Sequence, residues 1–485
     1  MDVADSLTRH EWAGLMNRHN LADGHARQAQ TAKMSHLLTR LPELYELSES
    51  TPQLAVQRRF EEAFYRRAGQ PSVAARKVAP LHHYSSSLSI EIVANYLREQ
   101  GLQVGLLDPT FDNIPAILRR HGVPLRPVGE DIFADPADPS FYAGHDAIFL
   151  ITPNNPTGID PSPDVLRTIA KQCRDRDLLL IVDFSFRFFS EHLATWDQYA
   201  FFESIGVRYI GIEDTGKTWP TLDLKIGSLV ADARPHARLQ EITDDLLLNV
   251  SPFIFTLISE YVDADKESSS RHVARANRAH LERLMEGGPV TVTPAEGPMS
   301  VAWLRLPGGW QAGELCDWLI GQGISVLPGS PFHWSDGSRG EGHVRIALMR
   351  PEPVFEEGAK ALAAAFDQYQ RLQEGVAVQP ADVGAVVLRA AAELLDRPDA
   401  TLADDFFALG GDSMSAMHLV GRVAQETGVP QRVRTLFEGP VLGDFAARVA
   451  EACERHTGGD AEEITDPLAL LRRSFGAQQA AGQEA

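Results

Sequence analysis

Between Phe149 and Val230 the 485-residue chain alternates short apolar runs with stretches of helical periodicity, such as Pro161 to Arg174. The run Leu178-Leu-Leu-Ile-Val-Asp183 is apolar on both faces until its last residue. A strand of that kind has to be covered on both sides, so the alternation predicts βαβ units and a mainly parallel sheet. Three polar stretches punctuate the pattern in a fixed order: Thr152-Pro-Asn-Asn-Pro-Thr-Gly158, then Asp183, then Glu213-Asp-Thr-Gly-Lys-Thr-Trp219. Singly each is weak. The first is a good turn on composition alone, an Asp after a strand is often a helix cap, and a Lys after Gly is ordinarily a surface residue. Together they set a turn amide (Asn155), a carboxylate ending a buried strand (Asp183) and a primary amine (Lys217) at separations of 28 and 34 residues.

That ordered triplet resembles the fold-type-I aminotransferase superfamily, in which pyridoxal phosphate is the cofactor. The resemblance implies an α/β fold: a large domain with a mainly parallel sheet and a small α+β domain. Lys217 would form the Schiff base with the cofactor aldehyde. Asp183 would pair with the ring nitrogen and keep it protonated, and Asn155 would donate to the phenolic oxygen. Tyr84-Ser-Ser-Ser-Leu-Ser89 opens a helix running through Ile90 to Leu97. Free N–H groups, hydroxyls and the positive helix end make such a turn an anion site, so Ser86 and Ser87 are expected at the phosphate. Phe111, after the strand Val104 to Leu107, is expected to stack on the ring, and Ser185 joins the cofactor set. Arg345, in Gly342-His-Val-Arg-Ile-Ala-Leu348, matches the residue that grips a substrate α-carboxylate with two prongs. Two positions depart from ordinary aminotransferases. Phe186 stands where many carry a tyrosine, and Lys225 stands where relatives usually place an arginine on the phosphate, which keeps the charge and loses the fork.

Composition narrows the partners. The net charge of −21 argues against nucleic acid. No run approaches the roughly 18–20 apolar residues of a membrane span, and the polar start of the chain is unlike a secretory signal. Cys173, Cys316 and Cys453 are far apart and show no metal-binding spacing. No metal and a cytoplasmic location are therefore expected. The first thirty residues read as a helix, with Ser6 or Thr8 ahead of Glu11 as its capping signature. Leu37, Leu38, Leu41 and Leu44 read as one core-facing helix. A helical region follows from about Arg238 to Gly287, then the small domain to about residue 373.

Near Ala377-Val-Gln-Pro-Ala-Asp382 the character changes. The expected organisation is a catalytic domain at 1–373, a linker at 374–381, a second domain at 382–455 and a tail at 456–485, with a short helix at Pro467 to Phe475. Asp404-Asp-Phe-Phe-Ala-Leu-Gly-Gly-Asp-Ser413-Met-Ser-Ala-Met-His-Leu419, with the later Thr435-Leu-Phe-Glu, resembles the phosphopantetheine attachment site of acyl and peptidyl carrier proteins. That implies a four-helix bundle with 4'-phosphopantetheine on Ser413. It also implies a phosphopantetheinyl transferase and nonribosomal-peptide or related pathway enzymes as partners.

Residues 1 to about 370 carry a closer resemblance, to the pyridoxal-phosphate-dependent L-arginine oxidases and hydroxylases. It rests on Asn20-Leu-Ala-Asp-Gly-His-Ala-Arg-Gln28, Tyr84-Ser-Ser-Ser87, Pro109-Thr-Phe-Asp-Asn-Ile114, Thr152 to Gly158, Ser185-Phe-Arg187, Ile212-Glu-Asp-Thr-Gly-Lys217 and Phe332-His-Trp334. Phe186 and Lys225 agree with this family. The resemblance implies oxidation of L-arginine by O2, without metal or flavin, to a 4-hydroxylated or unsaturated 2-oxo acid or imine, with peroxide and ammonia released. It implies that residues 1–30 close over the site, that His25 handles protons or peroxide near the ring, and that Thr8, Glu11 and Asp214 hold the guanidinium. Fold-type-I analogy implies a homodimer. Other readings stay open: an aminotransferase, a capreomycidine-type cyclase on a free or tethered amino acid, or a non-catalytic module delivering the carrier domain.

Overall fold

The computed structural model describes residues 6–76, 78–295, 297–373, 383–429 and 431–457. The linker expected at 374–381, the tail from residue 458 and the helix expected at Pro467 to Phe475 lie outside the described residues.

Seven strands form the main sheet, in the spatial order Leu81–His83, Gly227–Ala231, Tyr209–Asp214, Leu179–Asp183, Ala147–Ile151, Val104–Asp108 and Leu125–Gly129. Only Gly227–Ala231 runs against the others. Every residue of Val104–Asp108, Ala147–Ile151, Leu179–Asp183 and Tyr209–Asp214 is buried, which is why these runs carry no polar alternation. Helices Ser86–Glu99, Pro163–Asp175 and Gln198–Ile205 return the chain between strands. Their first turns are capped by the side chains of Ser85, Ser162 and Asp197, each accepting a backbone N–H.

A four-stranded antiparallel sheet, with Leu327–Pro328, His343–Ala347, Val301–Arg305 and Thr291–Val292 in that order, forms the small domain with helices Ala312–Gly321 and Glu352–Gln373. The last part is a bundle of Val383–Leu394, Ser413–Thr427, Val433–Glu438 and Leu442–Thr457 around Val387, Phe406, Leu419, Val423, Leu436 and Phe445.

Two expectations change. The Leu37–Leu44 stretch is two helices, Ala32–Thr39 and Leu41–Ser50, because Arg40 leaves helical geometry and Pro42 starts the second. Leu37 and Leu44 are buried, while Leu38 is turned out, 47 % exposed. The N-terminal helix is also short, Leu7–Gly14. Beyond it the chain is extended. His19–Asn20 pairs in parallel with Ile324–Ser325, and the Leu21 carbonyl accepts the Ala347 N–H. No described helix is long and apolar enough to cross a membrane.

Candidate active site

The carboxyl ends of the central strands bring the three punctuating stretches together. Ile151 and Asp183 are register partners on adjacent strands, and so are Asp183 and Ile212, two residues before Asp214. Asn155 follows in a turn and is buried, and its Oδ1 has no hydrogen-bond partner among the described residues. Asp183 is 5 % exposed; one of its oxygens accepts the Ser185 N–H at 2.8 Å, and no cation faces it among the described residues. Burial pushes the Asp183 carboxyl up to about 6; the Ser185 hydrogen bonds oppose this, and the charges of Asp214 and Glu213 add to it. A buried carboxylate with no counter-charge is costly unless a ligand supplies one. Lys217 lies half-buried in the turn after Tyr209–Asp214.

Beneath that turn sits a charge pair not assigned from sequence. Arg187, 1 % exposed, gives its Nε and one terminal nitrogen to Glu213 at 2.7–3.1 Å, while Gln198 and the Leu193 carbonyl take the other. Tyr199 also donates to Glu213, at 2.7 Å. The only sequence signal is a Glu inside an otherwise apolar strand and an Arg four residues after Asp183. Paired this way, Glu213 anchors the strand end from which Lys217 projects.

At the serine-rich turn the capping hydroxyl is that of Ser85, which accepts the Leu88 N–H. Ser86 and Ser87 are the first two residues of the helix and are half-buried. The Ser86 N–H donates to Asp214 Oδ2 at 2.9 Å, and Ser87 Oγ accepts from Asn113 at 3.1 Å. Gly227 lies directly behind: a Cβ there would collide with the Ser85 and Ser86 backbone, so glycine lets this turn sit against the sheet. Asp214 is committed on both oxygens, since Oδ1 accepts the Gly216 N–H at 2.6 Å. Phe111 packs edge-on to Phe332, ring centres 6.0 Å apart.

The extended N-terminal segment forms a strap across the Lys217 turn. Ala26 N–H donates to the Gly216 carbonyl, the Gln28 amide to Thr218 O at 2.8 Å and the Gln30 amide to Pro220 O. His25 Nδ1 lies 2.5 Å from Asp23 Oδ1, and Lys225 Nζ lies 3.2 Å from His25 Nε2. The other ring nitrogen thus faces both Lys225 and, at 3.6 Å, the Asp223 carboxylate, which also lies 3.5 Å from Lys225 Nζ. Burial pushes the Asp23 carboxyl up, but His25 and Arg27 outweigh it and hold it well below the usual carboxylate range. Arg350, also unassigned from sequence, donates to the Asn20 and Asp23 carbonyls and fixes the strap from below.

Arg345 is fully buried on its strand. One nitrogen reaches Glu11 Oε1 at 3.4 Å, a long contact, while Nε and Nη1 have no partner among the described residues. Burial lowers its pKa, with Glu11 and Asp23 opposing. Glu11 is on the inner side of the Leu7–Gly14 helix, and Thr8 is exposed on the same helix. Asp112, one residue after Phe111, accepts the Leu7 N–H at 2.8 Å and so ties that helix down. In the last domain, Ser413 is the first residue of its helix, half-buried, and Asp412 caps the helix with a reciprocal Ser415 contact.

These side chains fit pyridoxal phosphate. Asp183 faces no cation among the described residues where a ring nitrogen would provide one, Asn155 has unused hydrogen-bonding capacity, and Lys217 supplies a primary amine in the turn that follows Asp214. Comparison with known proteins agrees. Residues 48–362 match the aminotransferase class I and II family, and residues 385–449 match the phosphopantetheine attachment site. The structure of MppP soaked with the product 2-ketoarginine is similar at 35 % identity and a TM-score of 0.68, covering 72 % of this chain and 99 % of that one. The L-glutamine--4-(methylsulfanyl)-2-oxobutanoate aminotransferase of Bacillus subtilis (strain 168) is 24 % identical over 219 residues, 44 % of this chain and 53 % of that protein. The chain thus spans about half the length of the first curated aminotransferases it matches. Surfactin synthase subunit 3 of the same organism is 42 % identical over 55 residues, 11 % of this chain and 4 % of that protein. The cofactors are pyridoxal phosphate and, on the last domain, 4'-phosphopantetheine. The chain belongs to the aminotransferase class I and II family, with a phosphopantetheine-attachment domain fused behind it.

Proposed function

We propose that this enzyme oxidises free L-arginine with O2 to a 2-oxo acid or imine that is hydroxylated at C4 or unsaturated, releasing peroxide and ammonia. The observation that carries this reading is the 35 % identity, across nearly all of that chain, to the protein soaked with 2-ketoarginine. Bound pyridoxal phosphate supplies an electron sink for the bond broken at the substrate Cα. The chain's own residues do the rest. Asp183 would hold a proton on the ring nitrogen, Asn155 and Ser185 would orient the ring, and Phe111 would stack on it. Ser86, Ser87 and Lys225 hold the phosphate. Lys217 Nζ, the covalent anchor, is the base that moves the proton at Cα.

Arg345, buried with two unused donors, suits a free carboxylate. A thioester-bound aminoacyl group has none, which favours free arginine over a tethered one. Glu11, Thr8 and Asp214 take the guanidinium, Asp214 through lone pairs left by its two backbone contacts. Thr8 is exposed on the single chain, as are the apolar Trp12, Tyr45, Leu54, Leu222 and Leu248. A homodimer covers such a surface. The strap and the Leu7–Gly14 helix exclude water, which lengthens the time O2 has to react before a proton returns. His25, fixed by Asp23, handles protons or peroxide at that seam. Ser413 carries phosphopantetheine and brings the enzyme into nonribosomal-peptide or related biosynthesis.

The test is dissolved-oxygen uptake by the purified protein with free L-arginine, products read by mass spectrometry. Uptake with an oxidised 2-oxo acid is expected. Turnover that needs a 2-oxo-acid co-substrate and no O2 would make it an aminotransferase. A mass change only on loaded Ser413 would move the substrate onto the carrier.

A further inference from the structure

The carrier bundle does not hang free in this structure. Its Ser413–Thr427 helix packs on the Ala312–Gly321 helix of the small domain, with Gly421 against Gly321; a Cβ on either would collide with the other's backbone. Glycine in the middle of a helix weakens that helix, so Gly421 needs a reason, and close approach is one. The two cores interlock around this point. Ile320 belongs to the carrier's apolar cluster, and Ala424 to that of the small domain. Polar contacts flank it, with Arg432 on Glu314 at 3.1 Å and the Val433 N–H on Asp317 at 3.0 Å.

Two routes lead from this seat to the N-terminal helix. Directly, the Arg9 guanidinium lies 5.8 Å from the ring centre of Phe437, which stacks on Phe407, six residues before Ser413. Indirectly, the Ala312–Gly321 helix ends three residues before Ile324–Ser325, the strand that pairs with His19–Asn20. Gly323 O accepts the His19 N–H, and Asn17 donates to Ser325 Oγ. Leu7–Gly14 is therefore held between Asp112 and Arg345 on the active-site side and the carrier on the other.

We propose that the carrier domain docks on the Ala312–Gly321 helix as a brace for the N-terminal helix, so that the cover over the active site is closed while the carrier is seated and loosened when a pathway enzyme draws the carrier away. Closure of the active site and carrier traffic are then mutually timed. The brace depends on packing rather than on what the active site binds, so it stands or falls separately from the arginine-oxidase reading.

Hydrogen–deuterium exchange on the full-length, cofactor-loaded protein tests it. Gly421→Leu should unseat the carrier, raising exchange at least tenfold in residues 312–323 and also in residues 7–20. Arg9→Ala should raise exchange in residues 7–20 alone. Mass gain at Ser413 with coenzyme A and a phosphopantetheinyl transferase reports whether the Gly421→Leu bundle is folded. If that gain is lost, Arg432→Glu, which sets like charges against Glu314 and Asp317, replaces it with the same expected pattern. Faster exchange in 312–323 with none in 7–20 would overturn the brace. No change in 312–323 would overturn the seat itself.

Discussion

Asp183→Asn in the cofactor-stripped enzyme should stabilise the fold at neutral pH. The Asp183 carboxyl is buried, accepts the Ser185 N–H and faces no cation among the described residues, and it rises from its ordinary 3.8 to about 6. The sign follows from linkage: the folded chain binds that proton more tightly than the unfolded chain. The penalty is thus absent below about pH 3.8, grows between there and about 6, and is full above 6. It amounts to about 3 kcal/mol at pH 7.5 and about 1 kcal/mol at pH 4.5. Asparagine keeps an oxygen for the Ser185 N–H and carries no charge, so the variant should be more stable by those amounts. Urea unfolding reads this as a midpoint raised by about 1 M at pH 7.5, taking a slope of about 3 kcal/mol/M. Adding pyridoxal phosphate should reverse the order, because only the carboxylate gains a cationic partner. A stripped variant no more stable than wild type at pH 7.5 would refute the account of Asp183 as an uncompensated charge awaiting its partner.

Arg345→Gln should lower kcat/KM for L-arginine by about 10²–10⁴-fold, the worth of two charge-assisted hydrogen bonds; steady-state oxygen uptake measures it. Arg187→Met should destabilise the chain by about 3–5 kcal/mol by leaving Glu213 buried without its cation. Adding Glu213→Gln should recover part of the loss in urea denaturation. Ser413→Ala should abolish the phosphopantetheine mass gain while oxygen uptake with free arginine stays unchanged.

The parts of the site legible in the sequence are those whose signal is local. An apolar run ending in Asp183 states both a covered strand and a carboxylate at its end. The parts not legible depend on residues far apart in the chain. Arg187 and Glu213 read as ordinary charges until adjacent strands bring them together. Arg350 carries no sequence signal for its hold on the strap at Asn20 and Asp23. Gly321 and Gly421 carry no mark of their contact. The local reading also failed at Leu37 to Leu44, where helical spacing continues across a break.

The strap has a consequence for assembly. Residues 19–30 leave the ribosome early, yet their partners Gly216, Thr218, Ile324, Ser325, Ala347 and Met349 come about 200–320 residues later. At roughly 5–20 residues per second, the strap waits from about 16 seconds to about a minute for the last of them. Closing so long a loop also disfavours early docking. The large sheet can thus form while its pocket is still roofless, which leaves an interval for a bulky phosphorylated aldehyde to enter before this earlier-made segment becomes the last to settle.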